Sequence, residues 1–327
     1  MDAGDGGTPV CSKRDVGFSI ANLTRVLVGD GRGDGILRVY AGDDGGRVAE
    51  FEYASGTDSW KKTSFGSNSF GVMSIAAGAG RLFVGGSGVY EAKYQAGAWS
   101  VAPIVLKTGY ALAYGAGRGD ATDRLYIGDS SAVSEMTLNG STWTSTASIP
   151  TSNQTVRAIV IGKARNDGTD RLYFSANDHA IEAVPNTPAW DLVDCGAYLS
   201  GTGGLVLGPG RNDGINRLYS GGTAVEEAWY EGPGWDQAQI VLSLDDARVT
   251  VGAGRNDGVQ HVYASTYDLN TWTTSTREYT YSGGSWTVTG KLENSEVTDI
   301  VVGAGRNDLA QRIYAAIGTH VYEYTCW

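Results

Sequence analysis

The chain has 327 residues, with 48 Gly, 7 Pro, 10% aromatic residues and a formal net charge of −11. Abundant glycine argues against long helices, the aromatic content argues against disorder, and no apolar run reaches the roughly 18–20 residues that span a bilayer. The negative charge repels phosphate backbones and excludes nucleic acid as a general partner.

Residues 1–10 read as a flexible polar tail ahead of a single domain spanning 11–327. Cys11 and the run Val16-Gly17-Phe18-Ser19-Ile20 come first, followed by a short phrase that occurs seven times. Its copies are Gly31-Arg32-Gly33-Asp34-Gly35, the shortened Gly78-Ala79-Gly80-Arg81, Gly117-Arg118-Gly119-Asp120-Ala121, Ala164-Arg165-Asn166-Asp167-Gly168, Gly210-Arg211-Asn212-Asp213-Gly214, Gly254-Arg255-Asn256-Asp257-Gly258 and Gly305-Arg306-Asn307-Asp308-Leu309. The repeat units open at Gly29, Gly78, Gly115, Gly162, Gly208, Gly252 and Gly303, a mean spacing of about 46. That period, filled with short alternating strands, predicts an all-β propeller with four strands per blade. In the sixth unit the pattern places strand a at Val249-Thr250-Val251 and strand b at Val262-Tyr263-Ala264-Ser265. Strand c falls at Glu278-Tyr279-Thr280-Tyr281 and strand d at Trp286-Thr287-Val288-Thr289.

Two further columns support a count of seven blades. Trp60, Trp99, Trp143, Trp190, Trp235, Trp286 and Trp327 each open a strand d, and Glu50, Glu91, Glu135, Glu182, Glu227, Glu278 and Glu323 each sit in a strand c. The last unit ends where its strand d should begin, so the segment from Cys11 to Ala21 is expected to supply the missing outer strand and close the ring. Closure brings Cys11 beside Cys326, which predicts a disulfide and an exported protein, extracellular or periplasmic. Cys195 reads as a small buried apolar residue.

The third position of the turn phrase is always Gly or Asn, the types that tolerate positive φ. The fifth admits Ala121 and Leu309, so that site need not be left-handed. Asp34, Asp120, Asp167, Asp213, Asp257 and Asp308 can cap turn amides and pair with the following strand-b basic residue, as Asp34 with Arg38. The strand-c glutamates need cationic partners if buried, and Arg38, Arg81, Arg124, Arg171, Arg217, His261 and Arg312 are the candidates. Asp30-Gly31-Arg32-Gly33-Asp34-Gly35 resembles the calcium loop of FG-GAP propellers, the type found in integrin α-subunits and some lectins. The resemblance implies a seven-bladed fold, with calcium as an optional ligand of this loop and no required cofactor. Arg32 and Arg38 stand where that family places oxygens, and the other units lack the first acid.

Function divides between symmetric and asymmetric features. The turn residues Asn166, Asn212, Asn256 and Asn307, the turn aspartates and the strand-d tryptophans, with Trp229, compose the candidate sites of a multivalent carbohydrate-binding protein. The same residues serve equally as turn locks and inter-blade pegs. If the turns bind ligand, the shortened second copy should be the empty one. The alternative is a protein-interaction scaffold using the opposite face, where the sixth unit carries the hairpin Thr266-Tyr267-Asp268-Leu269-Asn270-Thr271-Trp272 and the first carries Asp43-Asp44-Gly45-Gly46-Arg47. A polysaccharide lyase or hydrolase built on paired acids is third, because seven equivalent copies do not make one asymmetric catalytic centre. The three histidines show no metal-ligand spacing.

Overall fold

Alternating apolar residues between glycine-rich turns fold into 28 β-strands in a computed structural model, which describes residues 11–66, 71–186, 189–199, 203–243, 247–268 and 272–326. The proposed tail at 1–10 and Trp327 lie outside the described residues. The strands form seven four-stranded antiparallel sheets. Six sheets follow chain order, a to d. The seventh takes Asp299–Gly303, Arg312–Ile317 and His320–Cys326 and adds Cys11–Phe18 as its outer strand. Cys11 pairs in register with Cys326, their Cα atoms 4.1 Å apart, and a disulfide joins them. The seven-bladed ring is therefore closed by its own N-terminus, as expected.

The inner strands Leu23–Gly29, Ser74–Gly78, Ala111–Gly115, Ile159–Gly162, Leu205–Gly208, Arg248–Gly252 and Asp299–Gly303 all line one axial cavity. The glycines that end five of the inner strands, Gly78, Gly162, Gly208, Gly252 and Gly303, are packing requirements. A Cβ on Gly78 would lie 2.2 Å from the Tyr114 ring, and one on Gly162 would lie 2.2 Å from Leu207. The next blade can approach only because that side chain is missing.

Each blade contributes a fully buried aromatic at the same position of strand b: Tyr40, Phe83, Tyr126, Tyr173, Tyr219, Tyr263 and Tyr314. Six of these meet the strand-d tryptophan of the following blade edge-on, as Tyr173 meets Trp235 at 5.9 Å. Such pairs add roughly 0.5–1.5 kcal/mol beyond area burial. The core is consequently a set of inter-blade layers. In the sixth unit the strands run further than predicted, to His261–Asp268 and Thr273–Ser282. The expected long loop there is mainly an extended hairpin, and Leu269, Asn270 and Thr271 lie outside the described residues. Among the described residues no helix is long and apolar enough to cross a membrane.

Candidate functional site

The turn phrase places two arginines on two carboxylates. Arg217 donates from Nη1 and Nη2 to the two oxygens of Asp213, at 2.7 and 2.6 Å. Arg38–Asp34, Arg124–Asp120, Arg171–Asp167 and Arg312–Asp308 repeat this two-pronged contact. In the sixth blade His261 Nε2 lies 3.2 Å from Asp257. The pairing holds each turn to its following strand.

The buried glutamate takes a different partner from the one expected. Arg165, the turn arginine, donates to Glu182 at 2.7 and 2.6 Å, while the strand-b Arg171 stays 3.4 Å away. Arg32, Arg118, Arg211, Arg255 and Arg306 bind Glu50, Glu135, Glu227, Glu278 and Glu323 in the same way. Strand-b arginines are already committed to the turn aspartates, so the turn arginine neutralises the buried carboxylate. The second blade confirms this division. Its turn arginine is missing, so Arg81 reaches Glu91 directly at 3.0 Å and Lys93 joins it at 2.7 Å.

The tryptophans and asparagines also hold the fold together. Trp99, Trp143, Trp235 and Trp286 donate their indole N–H to Glu50, Glu91, Glu182 and Glu227 of the preceding blade at 3.1–3.3 Å. Trp60 and Trp190 pack edge-on against Tyr314 and Tyr126, and their indole N–H groups are buried without a hydrogen bond. Trp229 lies under the Arg211 guanidinium, 4.5 Å from its ring centre. Asn166 exchanges two hydrogen bonds with the backbone of Asn216 in the next blade, and Asn256 does the same with Gln311. Asn212 donates to the Gln260 carbonyl, and Asn307 accepts from Leu37 N.

Two features of the turn go beyond what the sequence shows. The third position is left-handed in all six full copies, but so is the fifth, including Ala121 at φ 58° and Leu309 at φ 67°. Side-chain tolerance there reflects accepted strain and not a relaxed backbone. In the first copy the Asp30 carboxylate accepts from Gly33 N, Asp34 N and Gly35 N. With Asp34 bound to Arg38, the oxygens of the loop that resembles a calcium site are occupied by turn amides and a guanidinium. Among the described residues no group of three or more His, Cys, Asp or Glu side chains is placed to hold a metal ion. Asp43, in the first unit's b–c hairpin, is buried, accepts from Ser19 Oγ and fastens the entry to the first blade.

Symmetry breaks around the axis. Four residues before the glycine that ends each inner strand stand Arg25, Ser74, Ala111, Ala158, Gly204, Arg248 and Asp299, all lining the axial cavity of about 220 Å³. Arg25, Arg248 and Arg157 also line an adjoining cavity of about 310 Å³ at its mouth, with Met73 and Tyr110. Asp299 accepts from Val26 N at 2.8 Å. Arg25 donates from Nη1 to the Thr24 carbonyl at 2.7 Å, and Arg248 donates from Nε to the Thr298 carbonyl at 2.8 Å. Burial lowers the Arg25 pKa, Asp299 opposes that shift, and Arg248 and Arg157 add to it. Burial raises the Asp299 pKa, against the pull of Arg25 and Arg248.

The mouth opens on the face that carries the b–c hairpins and the d–a connections, because both join strands at that end of every up-and-down blade. The exposed apolar side chains Phe18, Ile20, Leu106, Leu242 and Trp272 lie on the same face. Trp272 is exposed on the face where the sequence placed its hairpin, and Arg25, Arg157 and Arg248 were not singled out from the sequence.

No family model and no curated protein matches the chain. Among solved structures it is similar to the WD40 repeats of RRP9, with a TM-score of 0.64, 8% identity, and coverage of 96% of this chain and 97% of that one. It is also similar to U3-55K, with a TM-score of 0.61, 8% identity, and coverage of 96% and 98%. The fold is a seven-bladed propeller. At such identity the likeness extends to the fold alone, and these neighbours are WD40 propellers and not the FG-GAP type suggested by the first turn.

Proposed function

We propose that the protein is a non-catalytic protein-interaction scaffold whose binding surface is the face of b–c hairpins and d–a connections. The observation that carries this reading is the high exposure of large apolar side chains there, a tryptophan among them. Leu106 is 81% exposed, Trp272 72%, Ile20 67% and Leu242 60%. Exposed large apolar side chains are used at interaction surfaces, and tryptophan is a frequent anchor. Trp272 also holds a positive φ of 55°, a strained backbone that keeps its ring displayed beside Tyr267.

The multivalent carbohydrate reading finds less support, since the polar atoms it needs are engaged in the blade contacts described above. A disulfide across the seam supports export to an oxidising compartment. The test is affinity capture with wild-type protein, the Trp272→Ala/Leu242→Ser double variant and Leu309→Ser. Leu309 is 95% exposed in a turn on the opposite face. Partners kept by Leu309→Ser and lost by the double variant are expected. Capture indifferent to the double variant, or glycan binding that is lost when turn aspartates are replaced, overturns the reading.

A further inference from the structure

Three arginines meet at one opening in a protein whose net charge is −11. Arg248, Asp299 and Arg25 come from the sixth, seventh and first blades, neighbours around the ring, at one level of the inner strands. Arg157 comes from the entry to the fourth blade, on the other side of the mouth. One carboxylate is thus set among three guanidinium groups.

Asp299 and Arg248 join neighbouring blades through Val26 N and the Thr298 carbonyl, so the members of the cluster without such a role are Arg157 and, for most of its guanidinium, Arg25. Arg157 is exposed, its guanidinium makes no hydrogen bond to a described residue, and its nearest ring contact is Tyr110 at 5.8 Å. Arg25 spends one N–H on the Thr24 carbonyl and otherwise faces the cavity. The walls between these groups are Leu23, Val72, Met73 and Tyr110, with Thr24 and Thr298.

We propose that the channel mouth binds a carboxylate carried on an acidic segment of a protein partner, with Arg157 and Arg25 as its principal donors. This rests on the scaffold reading and adds the chemistry of the partner. Guanidinium groups bind carboxylates through two parallel N–H donors, as this chain does at Asp213 and Arg217. The partly apolar lining suits a peptide better than a free ion, because Met73 and Tyr110 at the mouth offer contacts to the residues flanking the acid. The acidic remainder of the surface disfavours a polyanion such as nucleic acid, which would have to lie across it.

The test is fluorescence anisotropy with labelled decaglutamate, decaserine and a ten-residue oligothymidylate, on wild type, Arg157→Ala, Arg157→Lys and Arg25→Gln. Decaglutamate is expected to bind wild type alone of the three probes, weakening as salt rises. Arg157→Ala should lower affinity at least tenfold, with Arg157→Lys in between. Arg157 lies outside the blade contacts, so its variants should melt like wild type, and they keep the test valid if Arg25→Gln misfolds. Equal binding of decaglutamate and decaserine, preference for the oligothymidylate, or unchanged affinity in Arg157→Ala overturns the proposal. Loss of partner capture in the Trp272 variant alongside any of those results leaves the scaffold standing and removes only the carboxylate site.

Discussion

The indole Nε1 of Trp235 donates to the Glu182 carboxylate at 3.1 Å across the gap between the fifth and fourth blades, while Arg165 holds the same carboxylate from within the fourth. One glutamate thereby links two blades and a turn. Glu182 is fully buried, so replacing it with Ala leaves Arg165 without its counter-ion and should cost about 3 kcal/mol or more. Trp235→Phe keeps the ring packing and loses one charge-assisted bond, for a loss of roughly 1–2 kcal/mol. Urea unfolding of the two variants measures both, and the order of the two losses is the check.

Leu309 and Ala121 occupy a left-handed position that Gly35, Gly168, Gly214 and Gly258 fill in the other full copies. Leu309→Gly and Ala121→Gly should each raise the unfolding free energy by about 1 kcal/mol, and Gly168→Ala should lower it. No contact is gained in either variant, so a rise in melting temperature isolates the backbone term.

Acid should weaken the turns within a defined window. The Arg38 guanidinium holds the Asp34 carboxyl down to about 2, and Arg124 holds Asp120 to about 2. Arg217 and Arg312 likewise keep Asp213 and Asp308 below the usual carboxylate range. Folded values below the unfolded value mean that the stabilisation is complete above about pH 4 and is lost as pH falls toward about 2. Partial exposure of these carboxylates keeps each contribution small. Urea midpoints between pH 5 and pH 2.5 should fall, and Asp120→Asn should flatten that slope while lowering the plateau.

Reducing the Cys11–Cys326 bond frees a closure 315 residues long, worth roughly 5 kcal/mol in the chain-entropy model. Reductant should therefore lower the melting temperature and first release the outer strand Cys11–Phe18. Cys195 is buried, and burial raises its thiol pKa well above the usual value. One thiol should react after unfolding without reductant, and none in the native protein.

Much of this architecture was legible in the sequence because it repeats. Seven turns, the Trp and Glu columns and two terminal cysteines determine blade count and closure, and the Asp34–Arg38 pairing follows from spacing across a tight turn. The Glu182 partner was not legible. Arg165 and Arg171 are both within reach along the chain, and only the prior commitment of Arg171 to Asp167 decides between them. The left-handed fifth position was hidden by Ala121 and Leu309, which tolerate the strain. Arg25, Arg157 and Arg248 stand far apart in sequence and meet only through ring closure. Aligning the inner strands on their final glycines would have exposed a column with Arg25, Arg248 and Asp299 amid small residues.

The central claim is that the repeated residues fasten blades while binding belongs to the opposite, asymmetric face. Melting temperature and partner capture, measured together on Trp235→Phe and Trp272→Ala, test it most directly. Trp235→Phe should melt lower and capture as wild type does, and Trp272→Ala should melt as wild type does and lose capture. Loss of capture in Trp235→Phe at temperatures where it remains folded, with Trp272→Ala unaffected, would contradict the account.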